Sequence, residues 1–328
     1  MSAIDVNNIF SLSADPAAFG EACLQTFHFQ YRENPVYREW CALTGTDPVV
    51  VKTLDAIPAL PISFFKNREV KTTSFVPQVV FESSGTTQSL TSRHLVKEVA
   101  IYRQSFLQAF TQFYGEITDW CILGLLPSYL ERQHSSLVMM VDELIRLSGH
   151  AASGFYLDEH DHLSKNLQQL EAQSQKTLLI GVTFGLLDFA AAYPQQLKHT
   201  VVMETGGMKG RRKELTRAEV HSLLMDGLGV GSVHSEYGMT ELLSQAYSQG
   251  EGRFTCPPWM KVLVRDEEDP FSVQETGRGI LQVIDLANRY SCSFIATEDV
   301  GRVYEDGSFE VWGRLDNSDI RGCSLLVV

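Results

Sequence analysis

One segment of this sequence combines an apolar run, a hydroxyl-rich turn and an amphipathic continuation: Phe81-Glu82-Ser83-Ser84-Gly85-Thr86-Thr87-Gln88-Ser89-Leu90-Thr91-Ser92-Arg93-His94. The run at 76–81 predicts a buried strand, and from about Arg93 apolar residues recur at helical spacing as far as Phe110. Free backbone N–H groups and a positive helix end beside a small polar turn would suit a phosphate group. An ordinary Ser/Thr helix cap would show the same pattern.

Two common catalytic motifs are missing from the sequence. The G-x-x-x-x-G-K-[ST] pattern of Walker phosphate loops does not occur, which disfavours a P-loop ATPase or kinase. No G-x-S-x-G nucleophile elbow occurs either, which disfavours a serine hydrolase.

Composition narrows the class of protein further. The 328 residues are 44% hydrophobic and 20% charged, which are globular values, and the net charge of -13 argues against a nucleic-acid partner. Six cysteines without a C-x-x-C pair predict reduced thiols. With no signal peptide and no apolar run long enough to span a bilayer, we expect a cytoplasmic protein without membrane insertion.

The order of predicted elements indicates an α/β fold in three parts. Residues 1–75 predict a mostly helical N-terminal segment, with Pro35 interrupting the first helical stretch. Alternating strands and helices over 76–250 predict a mainly parallel sheet covered on both faces, which would form the nucleotide-binding core. Residues 251–328 change to short strands separated by turns, which predicts an antiparallel, β-rich region. Two of these strands are predicted at 294–296 and 301–304, and Glu305-Asp306-Gly307 predicts a hairpin turn.

Polar residues follow several of the predicted parallel strands, where ligands of open α/β sheets bind. Gly206-Gly207 precedes the basic cluster Lys209-Gly210-Arg211-Arg212-Lys213, which a solvated turn would explain in part. Tyr237-Gly238-Met239-Thr240-Glu241 offers an aromatic ring to stack on a base, a hydroxyl for a phosphate oxygen and a carboxylate for Mg²⁺. His134 precedes a methionine-rich helix, where it would orient a ligand carboxylate or cap the helix.

Four signals in one order then resemble the adenylate-forming superfamily of acyl-CoA synthetases, peptide-synthetase adenylation domains and luciferases. They are Ser-Ser-Gly-Thr-Thr at 83–87, Gly-Gly at 206–207, Tyr-Gly-Met-Thr-Glu at 237–241, and Asp299 with Gly-Arg-Leu-Asp at 313–316. Ile-Pro-Ala-Leu-Pro-Ile-x-Phe-Phe-Lys at 57–66, Gly-Gly-Met-Lys-Gly-Arg at 206–211 and Gly-Cys-Ser at 322–324 resemble, more narrowly, the LuxE-type acyl-protein synthetase family. The resemblance implies the large N-terminal domain of the adenylate-forming fold, with αβαβα layers and a small antiparallel barrel-like region.

The same resemblance implies ATP and Mg²⁺ as cofactors and a fatty acid as the substrate. It implies that the 83–87 turn holds the β- and γ-phosphates, that Gly206 and Gly207 flank the adenine, and that Tyr237 stacks on it. Thr240 would contact the α-phosphate, Glu241 would bind Mg²⁺, and Asp299 with Arg314 would bind the ribose. The implied ATP-binding residues are Ser83, Ser84, Gly85, Thr86, Thr87, Gly206, Gly207, Tyr237, Asp299 and Arg314.

The sequence also departs from the superfamily pattern. It stops 12 residues after Asp316 (328 − 316), so we expect it to lack the usual C-terminal small domain with its catalytic lysine. We expect Lys209 to supply the missing positive charge. Family members are thought to carry the acyl group on a C-terminal cysteine, which implies Cys323 as the nucleophile. The alternative is that Cys323 is a buried strand residue. Cys292 is the second candidate for the nucleophile.

The family resemblance implies an AMP-forming ligase that activates a fatty acid, transfers it to its own cysteine and delivers it to an acyl reductase partner. Two alternatives stay open at this point. One is an acyl- or aryl-CoA ligase without its small domain, which CoA-dependent thioester formation would reveal. The other is a nucleotide- or acyl-binding scaffold without turnover, which would show no ATP–pyrophosphate exchange.

Overall fold

The structure is a computed structural model and describes residues 9–12, 15–83, 91–126, 134–206 and 215–315. Its α-helices are α1 Pro16–Glu33, α2 Pro35–Leu43, α3 Phe64–Asn67, α4 Val99–Tyr114, α5 Ser136–Ser148, α6 His160–Ala172, α7 Thr183–Ala192 and α8 Arg217–Leu228. Its first nine strands are β1 Leu60–Pro61, β2 Val79–Glu82, β3 Arg93–Val96, β4 Cys121–Leu125, β5 Gly154–Phe155, β6 Thr177–Gly181, β7 Thr200–Glu204, β8 Val233–Tyr237 and β9 Ala246–Ser248. The last six are β10 Arg253–Phe254, β11 Met260–Arg265, β12 Val273–Gln274, β13 Gly277–Asp285, β14 Phe294–Val303 and β15 Phe309–Arg314.

A six-stranded sheet forms the centre, in the order β5-β4-β6-β7-β8-β9. All neighbours pair in parallel except β8 and β9, which are antiparallel. Strands β4 and β6 are buried at every position, as expected for parallel strands with helices on both faces. The predicted parallel core is therefore confirmed.

The two faces of this sheet pack into separate apolar clusters. Ile122, Ile180 and Met203 belong to a cluster that includes residues of α4 and α5. Leu179 and Val202 belong to the opposite cluster, with residues of α6, α7 and α8. Alternate side chains of a strand point to opposite faces, so apolar residues at consecutive positions are what a doubly covered sheet requires.

In the second sheet the strands β10-β15-β14-β13-β11-β12 are neighbours in that order and pair antiparallel, and β1 pairs with β14 in parallel. The predicted turn at Glu305–Gly307 joins β14 to β15, and Gly307 adopts a left-handed φ of 79° there. Strands that the sequence separated at 294–296 and 301–304 form one continuous strand, β14. The antiparallel region is confirmed with that change.

One predicted element is wrong. The sequence pattern indicated a helix from about Arg93, but Arg93–Val96 is strand β3, antiparallel to β2 with Phe81 opposite His94. Helix α4 begins only at Val99. The hydroxyl-rich segment thus lies between two paired strands, and the predicted helix N-terminus does not follow it directly.

The N-terminal segment packs against the antiparallel sheet. Pro35 starts α2 directly after Asn34, whose side chain accepts from the Tyr37 N–H, so the predicted interruption is confirmed. The buried Gln30 side chain donates to the carbonyls of Asn288 and Arg289. The domain boundaries at 75 and 250 stay predictions. Among the described residues, no helix is long and apolar enough to cross a membrane.

Candidate active site

The carboxyl ends of β6, β7 and β8 meet at one edge of the parallel sheet, where Gly181, Glu204 and Ser235 lie in register. Beyond β7 the chain turns at Gly206, which adopts a left-handed φ of 77°. Within the described ranges, no atom beyond the neighbouring residues lies within 4 Å of the space where a Cβ of Gly206 would be. The Thr183 N–H donates to the Gly206 carbonyl at 3.0 Å, which holds this turn against α7. A glycine with open space above it leaves room for a flat ligand.

Tyr237, Asp299 and Arg314 come together although they lie on three different strands. The Tyr237 hydroxyl donates to Asp299 Oδ2 at 2.8 Å, and Arg314 Nε donates to Asp299 Oδ1 at 3.0 Å. Asp299 is 5% exposed. Burial and the neighbouring Asp299 charge raise the pKa of Tyr237 well above its ordinary value, so the phenol keeps its proton and donates.

The end of the hairpin strand β3 contacts the Thr240–Glu241 turn. Burial raises the pKa of Glu241. A hydrogen bond from the Ser92 side chain and the charges of Arg314 and Lys66 act to lower it but do not cancel the effect of burial. Glu241 is 5% exposed. A buried carboxylate with a raised pKa is stabilised by a cation, so this position suits a divalent metal ion.

His94 is a site residue that the sequence analysis missed. Its Nδ1 lies 2.8 Å from the Thr240 carbonyl oxygen, and since a carbonyl only accepts, Nδ1 carries the proton. Burial lowers the pKa of His94 to about 4, so the ring is neutral at pH 7. The Asn288 side chain donates to the Glu241 carbonyl at 2.6 Å. His94 and Asn288 together fix the backbone of the turn.

Glu204 is a second residue that the sequence analysis did not single out. Its Oε2 accepts from the Gly206 N–H at 2.8 Å and from the Thr183 hydroxyl at 3.0 Å, and its Oε1 accepts from the Ser235 hydroxyl at 2.9 Å. Burial acts to raise the pKa of Glu204, but hydrogen bonding to His221, the Arg217 charge and the Gly206 N–H prevail and lower it to about 2. The carboxylate is therefore ionised at neutral pH.

Other predicted residues lie nearby or outside the described residues. The Ser83 hydroxyl accepts from the Ser92 N–H at 2.9 Å, which closes the base of the hydroxyl-rich turn. His134 is exposed, with Nδ1 lying 3.2 Å from the Val80 carbonyl, so its predicted role in substrate binding stays a prediction. The residues that lie outside the described ranges are Ser84, Gly85, Thr86, Thr87, Gly207, Lys209 and Cys323.

Cys292, the reserve nucleophile, does not suit that role. Its side chain is fully buried and its Sγ donates to the Phe294 carbonyl at 3.4 Å. Burial raises the pKa of this thiol far above its ordinary value. A neutral, inaccessible thiol is a poor nucleophile, so the geometry argues against Cys292.

The fold is that of adenylate-forming ligases. A 2-hydroxyisobutyryl-CoA ligase in complex with 2-HIB-AMP and CoA superimposes with a TM-score of 0.65 at 12% identity, covering 92% of this chain and 70% of that one. ATP-bound MatB from Rhodopseudomonas palustris gives a TM-score of 0.54 at 17% identity, covering 86% of this chain and 58% of that one.

Within that fold, the chain belongs to the LuxE acyl-protein synthetase family, which matches it over residues 8–328. A curated relative, the long-chain-fatty-acid–luciferin-component ligase of Aliivibrio fischeri, is 23% identical over 330 residues, covering 92% of this chain and 85% of the relative. The family and the fold together define an AMP-forming carboxylic acid ligase.

Proposed function

We propose that this protein activates a fatty acid with ATP to an acyl-adenylate and transfers the acyl group to its own cysteine. The observation that carries the proposal is the meeting of Tyr237, Asp299 and Arg314, in a chain of the acyl-protein synthetase family. Tyr237 and Asp299 are 62 residues apart in the sequence, and their side chains are in contact. A purely structural explanation of the separate motifs does not require that.

The described residues fit a nucleotide. The space above Gly206 suits the adenine, and the carboxylate of Asp299 with the guanidinium of Arg314 suits the ribose hydroxyls. Thr240, with the 83–87 turn, would face the phosphates. Glu241 would hold Mg²⁺, which takes few protein ligands and keeps phosphate oxygens and waters as the rest. Bound Mg²⁺ would supply neutralising charge on the phosphates.

The proposed reaction has two balanced steps. A carboxylate oxygen of the fatty acid attacks the α-phosphorus, the bond from that phosphorus to the bridging oxygen breaks, and pyrophosphate leaves. The Cys323 thiolate then attacks the acyl carbon and expels AMP, which leaves a thioester. Lys209 would stabilise the charge that develops on the phosphates in the first step.

The thioester would then be delivered to an acyl reductase. This partner is proposed from the family and its named relative, the long-chain-fatty-acid–luciferin-component ligase. The cytoplasmic location that the sequence indicates likewise stays a prediction.

The test is the intact mass of the purified protein after incubation with Mg-ATP and tetradecanoic acid. We expect wild type and the control Cys256→Ser to gain a hydroxylamine-labile acyl adduct, and Cys323→Ser to gain none. An adduct on Cys323→Ser would place the nucleophile elsewhere. Acyl-adenylate without any adduct would point to a CoA ligase, and no ATP consumption would overturn the proposal in favour of a scaffold. Lys209→Ala with an unchanged adenylation rate would remove the role of Lys209.

A further inference from the structure

Arg217, the first residue of α8, contacts both sheets of the molecule. Its Nη1 donates to the Val311 carbonyl of β15 at 2.9 Å. Its Nε lies 3.4 Å from Glu204 Oε1 at the end of β7. Its guanidinium lies over the ring of Phe254 on β10, 5.0 Å from the centroid. One side chain thus joins the parallel sheet to two strands of the antiparallel sheet.

On the side of the parallel sheet, Glu204 links Arg217 to the turn at Gly206, which is proposed to flank the adenine. The same carboxylate that faces Arg217 accepts from the Gly206 N–H and from the Ser235 hydroxyl. Glu204 is 4% exposed. The Glu204 carboxylate therefore contacts both Arg217 and the turn at Gly206.

On the side of the antiparallel sheet, the contact reaches the residues proposed to bind the ribose. Val311 lies opposite Gly301, and Arg314 on the same strand lies opposite Asp299. Phe254 packs against the Tyr237 ring, with centroids 5.8 Å apart. Arg217 therefore contacts strand β15 and the ring that packs against Tyr237.

We propose that the Glu204–Arg217 pair is a positioning unit that sets the distance between the adenine side and the ribose side of the nucleotide site. This inference rests on the proposed function, since it assumes that ATP binds at that junction. Neither residue needs to touch the nucleotide. Without the pair, both halves of the site remain, but their separation is no longer fixed, so the ordering cost of binding rises.

The experiment is isothermal titration calorimetry of the full chain with ATP, together with ATP–pyrophosphate exchange at saturating fatty acid. We expect Arg217→Met to raise the Kd and the KM for ATP about tenfold while the exchange kcat stays within about threefold of wild type. The reason is that the variant weakens ATP binding equally in the ground state and in the transition state. Arg217→Lys keeps the charge beside Glu204, so its Kd for ATP should lie between those of wild type and Arg217→Met. Glu204→Gln should raise the Kd by about threefold.

Arg253→Met is the matched control. Arg253 also pairs with a carboxylate, Asp306, and also lies over an aromatic ring, that of Tyr304, but its contacts stay within the antiparallel sheet. We expect this variant to lose a similar amount of thermal stability and to keep the wild-type Kd.

A wild-type Kd for folded Arg217→Met, with only its melting temperature lowered, would overturn the positioning role. If Arg217→Met does not fold, Glu204→Gln decides, and an unchanged Kd for that variant has the same meaning. Wild type that binds ATP but forms no acyl-adenylate would instead overturn the proposed function and leave the positioning role standing. Wild type that does not bind ATP would overturn both.

Discussion

Asp299 uses both of its carboxylate oxygens within the protein, one for the Tyr237 hydroxyl and one for Arg314 Nε. A carboxylate oxygen has more than one lone pair, so each oxygen keeps capacity for a ligand hydroxyl. The two protein contacts orient the carboxylate, because a charge-assisted hydrogen bond is shorter and stronger than a neutral one. If Asp299 binds the ribose as proposed, its carboxylate is already oriented before the nucleotide binds.

Replacing Asp299 with alanine tests this role. We expect Asp299→Ala to raise the KM for ATP by about 10- to 100-fold, since both a ligand contact and the orientation of Arg314 are lost. The measurement is ATP–pyrophosphate exchange over a range of ATP concentrations. Asp306→Ala serves as the control, because Asp306 lies in the β14–β15 turn and pairs with the half-exposed Arg253. Equal KM values for the two variants would contradict the ribose role of Asp299.

Site residues that belong to short motifs could be predicted from the sequence. Site residues whose contacts come from distant parts of the chain could not. Tyr237, Asp299 and Arg314 each follow a local pattern of residue types. His94 has no such pattern, because its partner Thr240 lies 146 residues away. Glu204 was visible only as the last residue of a strand, and its polar contacts come from three other elements. Such contacts depend on the packing of the whole sheet.

Among the elements, the β2–β3 hairpin shows where periodicity gives the wrong answer. Leu95 fits the helical spacing of the residues that follow it, so strand β3 and helix α4 together look like one helix. The strand forms because Phe81 and Val80 on β2 offer a pairing edge to His94 and Leu95. The helical spacing is read from residues 93–110 alone, which do not include the partner strand β2. The pairing of β3 with β2 outweighs that local spacing here.

The contact from this hairpin to the Thr240 turn gives a prediction for His94→Phe. The new ring keeps the edge-on packing against Phe65 and Phe81 but has no N–H for the Thr240 carbonyl. We expect a loss of about 1–3 kcal/mol in the free energy of unfolding from the unsatisfied carbonyl. The exchange kcat should fall about tenfold, since Thr240 and Glu241 are displaced.

Calorimetric unfolding and pyrophosphate exchange measure both effects. His28→Phe is the control, because His28 also packs against a phenylalanine, Phe27, but lies on α1. The positioning role of His94 fails if His94→Phe loses stability and keeps the wild-type kcat.

For the whole molecule, the alternation of strands and helices was enough to predict a doubly covered parallel sheet followed by an antiparallel one. The attachment of the N-terminal segment was not predictable in the same way. Strand β1 has two residues, Leu60 and Pro61, and pairs with β14 near the other end of the chain. Two residues carry no periodic signal, and the hydrogen bonds of Gln30 to the segment after β13 depend on tertiary packing.

The stability of the whole molecule should depend on the protonation of Glu236. Glu236 lies on β8 opposite Tyr247 of β9. Burial of Tyr102 and Tyr114 raises the pKa of these two side chains, and the charge of Glu236 raises it further. Burial first, and then the charge of Glu204, raise the pKa of Glu236 from 4.5 to about 8. The folded state thus binds a proton that the unfolded state releases at lower pH. The stability from the neutral form is complete below pH 4.5 and is lost as the pH rises through 8.

Glu236→Gln keeps a neutral side chain at every pH, so it removes this loss. We expect the variant to match wild type near pH 5 and to exceed it by roughly 1–3 kcal/mol in the free energy of unfolding near pH 9, since one pKa unit corresponds to about 1.4 kcal/mol. Urea unfolding of both proteins across this range measures the difference. Glu116→Gln, at an exposed position, should follow the wild-type curve throughout. If the curve of Glu236→Gln also runs parallel to wild type, Glu236 is ionised in the folded protein, and the three tyrosines around it tolerate its negative charge.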